Sequence, residues 1–328
     1  VSKMDFARHR GAVALLMASC AVIATAGCGG GSPSARPGGT IEVPSCGRTV
    51  ALDAPARSVV VVGAGSVDTL FEMGAGDRIT GVVGVHARPA TQFAARLGHL
   101  PDIGDALPGR EALLALQADL VLAEQGRTLS GQEGTPTIEQ LREAGTASYV
   151  VASGCDENPV AAKVTDSFAE IENFGRLLGA SDGARDLIGR LRGRLDDVAE
   201  RTAGRKPVKV AYLTLIGSDL WAFTSGLDVD IVTRAGGRNL WDDPGKPFTV
   251  MSREEITAAD PEAILFFPST PTADPREYVR RHFPTTAAVK NDRIHVVAPE
   301  DSARTGVRPV YQVETIARFL HPEAFEEK

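Results

Sequence analysis

The sequence predicts an α/β chain of two lobes joined by a single long helix, with a ligand cleft between the lobes. Two observations carry that expectation. Short, nearly continuous β-branched runs alternate with amphipathic stretches in both halves of the 328 residues, as in parallel strands covered on both faces. Between the halves, Ser181 to Ala203 places Ala184, Leu187, Ile188, Leu191, Leu195, Val198 and Ala199 mostly three or four residues apart, a helical stripe about 30–35 Å long.

The first residues put Lys3, Arg8 and Arg10 before an apolar run from Gly11 to Ala24 and then a small-residue site, the layout of an export signal. The run is shorter than the ~20 apolar residues a spanning helix needs. "TAGC" ending at Cys28 resembles a bacterial lipoprotein box, with Thr25 where Leu is usual. "MASC" ending at Cys20 is a rival, but cleavage there would halve the apolar run. The expected divisions are a signal over 1–27, a Gly/Ser/Pro-rich flexible tether over 28–40, a first lobe over 41–180, the connecting helix over 181–204 and a second lobe over 205–328. Cleavage before Cys28 removes three basic residues and one acidic residue, taking the formal net charge from −7 to about −9. No basic stripe of the kind nucleic acid demands is present.

With Cys20 in the signal and Cys28 assigned to lipid, Cys46 and Cys155 remain. In an exported chain two such cysteines most simply form one disulfide. A metal site built on them would lack nearby His or Cys partners.

The first lobe opens with "SVVVVG", followed by a helix through Leu70 and Met73. "ITGVVGV" precedes a helix near Thr91 to Leu97, "ADLVLAE" one near Thr137 to Ala144, and "ASYVVAS" closes the lobe. Gly63-Ala64-Gly65 after the first strand is half of a Rossmann dinucleotide fingerprint. The third glycine is replaced by Asp68, whose charge would repel a phosphate, and Asp77 stands at about half the ~20-residue spacing of a ribose-binding acid. From these residues the turn is read as a plain strand-to-helix turn, with dinucleotide binding as the alternative. "VKVAYLTLI" restarts the pattern, followed by a helix near Asp228 to Ala235, the strands "AILFFP" and "RIHVVAP", and a final helix from Val310 to Leu320. Two Rossmann-like lobes present ligand sites at the carboxyl ends of their strands.

Several segments together resemble the helical-backbone (class III) periplasmic substrate-binding proteins of ABC importers for iron-siderophores, haem and cobalamin. They are "APARSVVVVGAGSVDTLFEMGAGDRITGVVGV", "GREALLALQADLVLAE", "FTSGLDVDIVTRAGGRNLW", "VMSREEITAADPEAILFFP" and "AAVKNDRIHVV", and the match spans Pro55 to Phe325. The cysteine contexts "SCGRTV" and "SGCDENP" resemble an actinobacterial lipoprotein branch, some members of which are assigned to siderophores and some to a deazaflavin-cofactor precursor.

The resemblance implies a lipoprotein, anchored on the extracytoplasmic face of the cell membrane, that captures an iron-siderophore or similar metal chelate for an ABC permease and its ATPase. Cobalamin, haem or a deazaflavin-cofactor precursor are alternative ligands, and an exported enzyme or sensor is the alternative class. It implies a monomer with no cofactor and no catalytic residue; no G-x-S-x-G or H-E-x-x-H stands at a strand end. Glu111 in "GREALLAL" and Glu254 in "SREE" fall at the family's permease-docking positions, where acids on separate lobes meet two basic sites; both also suit an ordinary first helical turn.

Ligand contacts are expected just after strand ends: Ser66, His86, Arg88 and Gln125 in the first lobe, and Trp221, Ser269 and Arg304 in the second. Guanidinium forks suit an anionic chelate, and Trp221 could stack on a flat ligand. Arg308, beside Pro309 at a helix start, is read as structural. His99, His282, His295 and His321 lack the paired spacing of metal ligands, so no resident metal is expected.

Overall fold

The computed structural model describes residues 40–84, 98–155, 161–270, 272–298 and 306–326, all within the compact unit Gly38–Lys328. The chain enters on a hairpin the sequence reading did not foresee, β1 (Ile41–Ser45) and β2 (Arg48–Leu52), paired antiparallel around a turn at Cys46 and Gly47. It then forms five parallel strands: β3 (Val59–Val62), β4 (Ile79–Val83), β5 (Asp102–Gly104), β6 (Leu120–Ala123) and β7 (Ala147–Val150). Their order is β5-β4-β3-β6-β7. The helices between them include α1 (Ala64–Glu72), α2 (Arg110–Ala115) and α3 (Ile138–Glu143). Thr137 and Gln140 close a capping box at the start of α3, satisfying two N–H groups the helix cannot pair itself. The helix expected near Thr91 to Leu97 lies outside the described residues.

The hairpin guards the β7 edge. Ser45 Oγ donates to the Val150 carbonyl and accepts from the Val150 N–H, each at 2.9 Å, standing in for a missing strand. The disulfide expected from the cysteine arithmetic joins Cys46 to Cys155 and ties this hairpin to the segment after β7.

Two helices follow without an intervening strand, α4 (Asp166–Leu178) and α5 (Ser181–Thr202). The 22 residues of α5 end one short of the expected Ala203. Leu187, Leu191 and Val198 from its apolar stripe are buried. They join one core that runs from Val59 and Leu122 of the first sheet to Tyr212 and Leu265 of the second. The long helix thus belongs to the hydrophobic core of both lobes.

The second sheet is mixed. A parallel set, β8 (Val208–Ile216), β12 (Ala263–Phe267) and β13 (Ile294–Val296), continues antiparallel through β9 (Asp219–Phe223) to the edge strand β11 (Phe248–Val250). A short β10 (Gly237–Asn239) pairs parallel with the start of β8. The helices are α6 (Gly226–Arg234), α7 (Arg253–Ala259), α8 (Pro275–His282), α9 (Ala287–Lys290) and α10 (Arg308–Leu320). The last begins two residues before the expected Val310, so Pro309 falls in its first turn, where a missing N–H is harmless.

The disulfide closes a separation of 109 residues. Replacing both cysteines by serine is expected to lower the unfolding free energy by about 4–5 kcal/mol in the chain-entropy view, measured by urea titration of oxidised wild type against the double variant.

Candidate functional site

The chain moves from β3 outward to β4 and β5, then returns to the other side of β3 with β6 and β7. The direction of winding therefore changes between β3 and β6, and open α/β sheets bind ligands outside the strand ends at such a point. Gly63 ends β3 with φ +112°, a backbone conformation open to glycine and costly for other residues. A Cβ there would also strike the Glu124 carboxyl, which arrives from the end of β6. Glu124 Oε1 accepts the Ser66 N–H at 3.1 Å, and its carboxyl also takes the Gly65 N–H. The N-terminus of α1, where a dinucleotide phosphate would sit, is thus occupied by the protein's own acid. Burial pushes Glu124 above the usual carboxylate range, opposed by the Ser66 hydrogen bond, the Arg308 charge and the Gly65 hydrogen bond. On its other side the Glu124 backbone is pressed by Gly154, where a Cβ would meet its carbonyl; the adjacent Cys155 is held by the disulfide.

One turn further along α1 lies the contact between lobes. Arg308 Nε, at the start of α10, donates to Asp68 Oδ2 at 2.6 Å, with both side chains buried, 7% and 2% exposed. Arg308 Nη2 lies equally near that oxygen but too bent to form a second hydrogen bond, so Nη2 and Asp68 Oδ1 are left unpaired. Thr69 Oγ1 accepts the Val307 N–H at 3.2 Å, and Tyr311 donates its hydroxyl to Glu72 at 2.6 Å. These contacts join the helix that directly follows β3 to the first turn of the last long helix. Burial raises Asp68 to about 6, against the Arg308 charge and hydrogen bond that lower it, with Glu72 adding to the rise.

The second lobe contributes an apolar wall. The β8–β9 and β9–β11 registers set Thr214 opposite Trp221 and Trp221 opposite Val250, so these side chains share one sheet face, together with Ile216 and Phe248. Ile216, Phe248 and Val250 are 45%, 40% and 51% exposed, three of the four exposed large hydrophobic side chains among the described residues. Trp221 meets Phe248 edge to face at 5.4 Å, and its buried Nε1 has no partner. Thr214 and Ser269 hydroxyls are 2.8 Å apart beside it.

Of the residues expected just after strand ends, Ser269 follows β12 as expected, whereas Trp221 lies inside β9; the two come together on this wall through Thr214. Ser66 is fully buried, its backbone N–H given to Glu124 and its hydroxyl unpaired. Gln125 is exposed and accepts from Arg127 Nε at 2.6 Å. His86, Arg88, Arg304 and Cys28 lie outside the described residues. Glu111 and Glu254 are exposed in the first turns of α2 and α7. Arg308 is in the structural place expected of it. The sequence reading missed Glu124, although "DLVLAE" ends a buried strand on an acid, and it did not foresee Asp68 as a buried ionic partner. Among the described residues no cluster of three or more His, Cys, Asp or Glu could hold a metal. A recess of about 440 Å³ lined by Arg176, Arg185 and Arg192 lies on α4 and α5, away from the strand ends.

Comparison with known proteins follows the same lines. A family model described as periplasmic binding protein matches residues 59–300. The chain is 24% identical over 277 residues to the uncharacterized ABC transporter substrate-binding lipoprotein YvrC of Bacillus subtilis, covering 83% of this chain and 82% of that one. A periplasmic binding protein from Veillonella parvula superposes with a TM-score of 0.74 at 15% identity, covering 87% of this chain and 99% of its own. An ABC-type Fe3+-hydroxamate transport system protein from Saccharomonospora viridis superposes with a TM-score of 0.68 at 23% identity and the same coverage.

The buried ion pair gives a pH signature. The folded state holds the Asp68 proton more tightly than the unfolded chain does, because its value rises from 3.8 to about 6. This contribution to stability is complete below about pH 4 and is lost as pH rises through about 6. In denaturant titrations, the difference between wild type and Asp68→Asn is expected to change by up to about 3 kcal/mol between pH 4 and 7.

Proposed function

Because the chain belongs to the periplasmic binding protein family, and so is a binding component and not an enzyme, we propose that it captures an iron chelate for an ABC importer. The observation that carries this reading is the exposed wall of Ile216, Phe248 and Val250 around the half-buried Trp221 on one face of the second sheet. Such a surface is costly to leave facing water unless a ligand covers it. The Trp221 Nε1 and the Thr214–Ser269 hydroxyl pair supply the few polar groups that orient a ligand on an apolar wall. The Saccharomonospora relative is named for Fe3+-hydroxamate transport, while other similar folds are named for vitamin B12 and haem. Cobalamin and haem are therefore the competing ligands, and a deazaflavin-cofactor precursor is the remaining one.

The protein is anchored through lipid on Cys28 at the extracytoplasmic face, in keeping with its lipoprotein relative. Among the described residues no helix is long and apolar enough to cross a membrane. Glu111 and Glu254 dock the loaded protein on the permease. Each sits exposed on a different lobe, so two basic sites on the partner read whether both lobes are in place.

Isothermal titration with ferric siderophores, cobalamin and haem is expected to give saturable heat with a ferric siderophore; heat with cobalamin or haem alone would transfer the assignment. Trp221→Ala is expected to weaken that binding by roughly ten-fold or more, through loss of a buried aromatic contact. The Glu111→Arg, Glu254→Arg pair is expected to leave ligand affinity unchanged and abolish stimulation of the reconstituted transporter's ATPase. Unaltered stimulation would remove both residues from docking.

A further inference from the structure

The connecting helix α5 changes lobes part-way along its length. In its first turns Gly183 lies so near the Met73 carbonyl, at the end of α1, that a Cβ would strike it, and Ala184 stands equally close to Gly175 of α4. Arg190 Nη2 donates to the Glu72 carbonyl at 3.2 Å, and the Arg192 guanidinium lies over the Phe168 ring at 5.1 Å. All of these partners belong to the first lobe. Arg194 turns to the second: its Nη1 donates to Glu314 Oε2 at 2.6 Å, and its guanidinium lies 4.9 Å over the Tyr311 ring, both on α10. Beyond it, Arg201 Nη1 donates to the Ala324 carbonyl at 3.4 Å and Thr202 lies beside Gly236. The crossing therefore falls between Arg192 and Arg194, at Gly193.

Gly189 stands one turn before Gly193 on the same side of the helix. Each glycine in a helix interior makes the helical state roughly 4-fold less favourable than alanine would. Packing does not call for either of them, because no atom lies within 4 Å of where a Cβ would stand. Gly175 and Gly183, by contrast, are required by close neighbours. Without Cβ atoms the solvent side of α5 leaves its backbone hydrogen bonds open to water, and helices bend at such glycines. The recess between α4 and α5 reaches Gly189 and leaves room on that side. Leu187 and Leu191 on the opposite side are buried and keep the helix on the core. Next to the crossing, Glu72 meets both Arg190 and Tyr311, one turn along α1 from the Asp68–Arg308 contact.

We infer that Gly189 and Gly193 form the hinge of the molecule: α5 flexes where it passes from one lobe to the other, and the lobes rotate about the Asp68–Arg308 contact without breaking it. Motion of this kind needs only a small bend in one helix, which two exposed glycines allow and a continuous run of larger side chains would resist. The inference goes beyond the binding reading and requires no particular ligand.

Two measurements on the mature protein test it. Amide exchange along α5, read by mass spectrometry, is expected to be faster from Arg190 to Asp197 than in the turns on either side. Gly189→Ala combined with Gly193→Ala is expected to slow exchange there roughly 15-fold. Helix stabilisation alone would also do this, so the deciding measurement is the distance between lobes. Spin labels carried on unnatural residues at the exposed positions 111 and 254 are expected to give a broad distance distribution in wild type and a narrower one in the double variant. Ala199→Gly, which places an exposed glycine in the same helix beyond the crossing, is expected to leave the distribution as it is in wild type. Uniform exchange from Ala184 to Thr202 overturns the inference. So does a distribution of equal width in wild type and the double variant, or one that Ala199→Gly broadens as much as the double variant narrows it. No ligand or permease enters either measurement, so failure of the chelate reading leaves both results decisive.

Discussion

The buried contact between Asp68 and Arg308 is the interaction on which the arrangement of the two lobes depends. It joins α1 of the first lobe to the start of α10 in the second, with almost no access to solvent. A buried pair is a poor source of net stability, but removal of one partner strands the other charge at a cost of about 3–5 kcal/mol. The pair therefore acts as a constraint. The lobes can separate at this junction only by exposing or orphaning two charges. Thr69 with Val307 and Tyr311 with Glu72 extend the same seam. From the back, α5 adds Arg194 to Glu314 at 2.6 Å and Arg190 to the Glu72 carbonyl at 3.2 Å.

The side chains that the two lobes present near their strand ends differ in kind. The first lobe ends in a desolvated carboxyl group seated on a helix N-terminus. The second ends in an aromatic and aliphatic surface with a few hydroxyl groups and one unpaired indole N–H. The disulfide connects to this indirectly, since Cys155 follows Gly154, which lies against the Glu124 backbone, while Cys46 belongs to the hairpin that covers the β7 edge. The bond thus holds the residue next to the one that packs on Glu124.

Much of the fold was legible because its cause is local. Four consecutive valines before a Gly-Ala-Gly turn, and an apolar stripe at helical spacing from Ala184 to Val198, leave few alternatives to a buried parallel strand and a two-sided helix. The strands β9, β10 and β11 were not foreseen. β10 and β11 have three residues each, and β11 keeps two of its three exposed, so neither alternation nor a long apolar run marks them; β9 does carry the apolar run Leu220–Phe223, which the sequence reading passed over. The candidate site was legible in part. Ser269 could be named from its place after a strand end, whereas Trp221, expected after one, lies inside β9, and their meeting through Thr214 depends on the β8–β9 register and on the neighbouring β12.

Composition, periodicity and the resemblance of several segments determined the α/β class, the long helix and the pairing of Cys46 with Cys155, because each rests on contacts or chemistry encoded over short stretches or by elimination among four cysteines. Tertiary structure alone decided what the Gly63-Ala64-Gly65 turn holds. The sequence shows two glycines and a misplaced Asp68, which a tight turn and the helix dipole explain without any partner. The residues that give them meaning, Glu124 and Arg308, lie 58 positions from Ser66 and 240 from Asp68. No local pattern records that a carboxyl from β6 fills the turn or that a guanidinium from the last helix neutralises Asp68. Both depend on how residues far apart in sequence are brought together at the end of β3, and that fills half of a nucleotide fingerprint with the protein's own carboxyl.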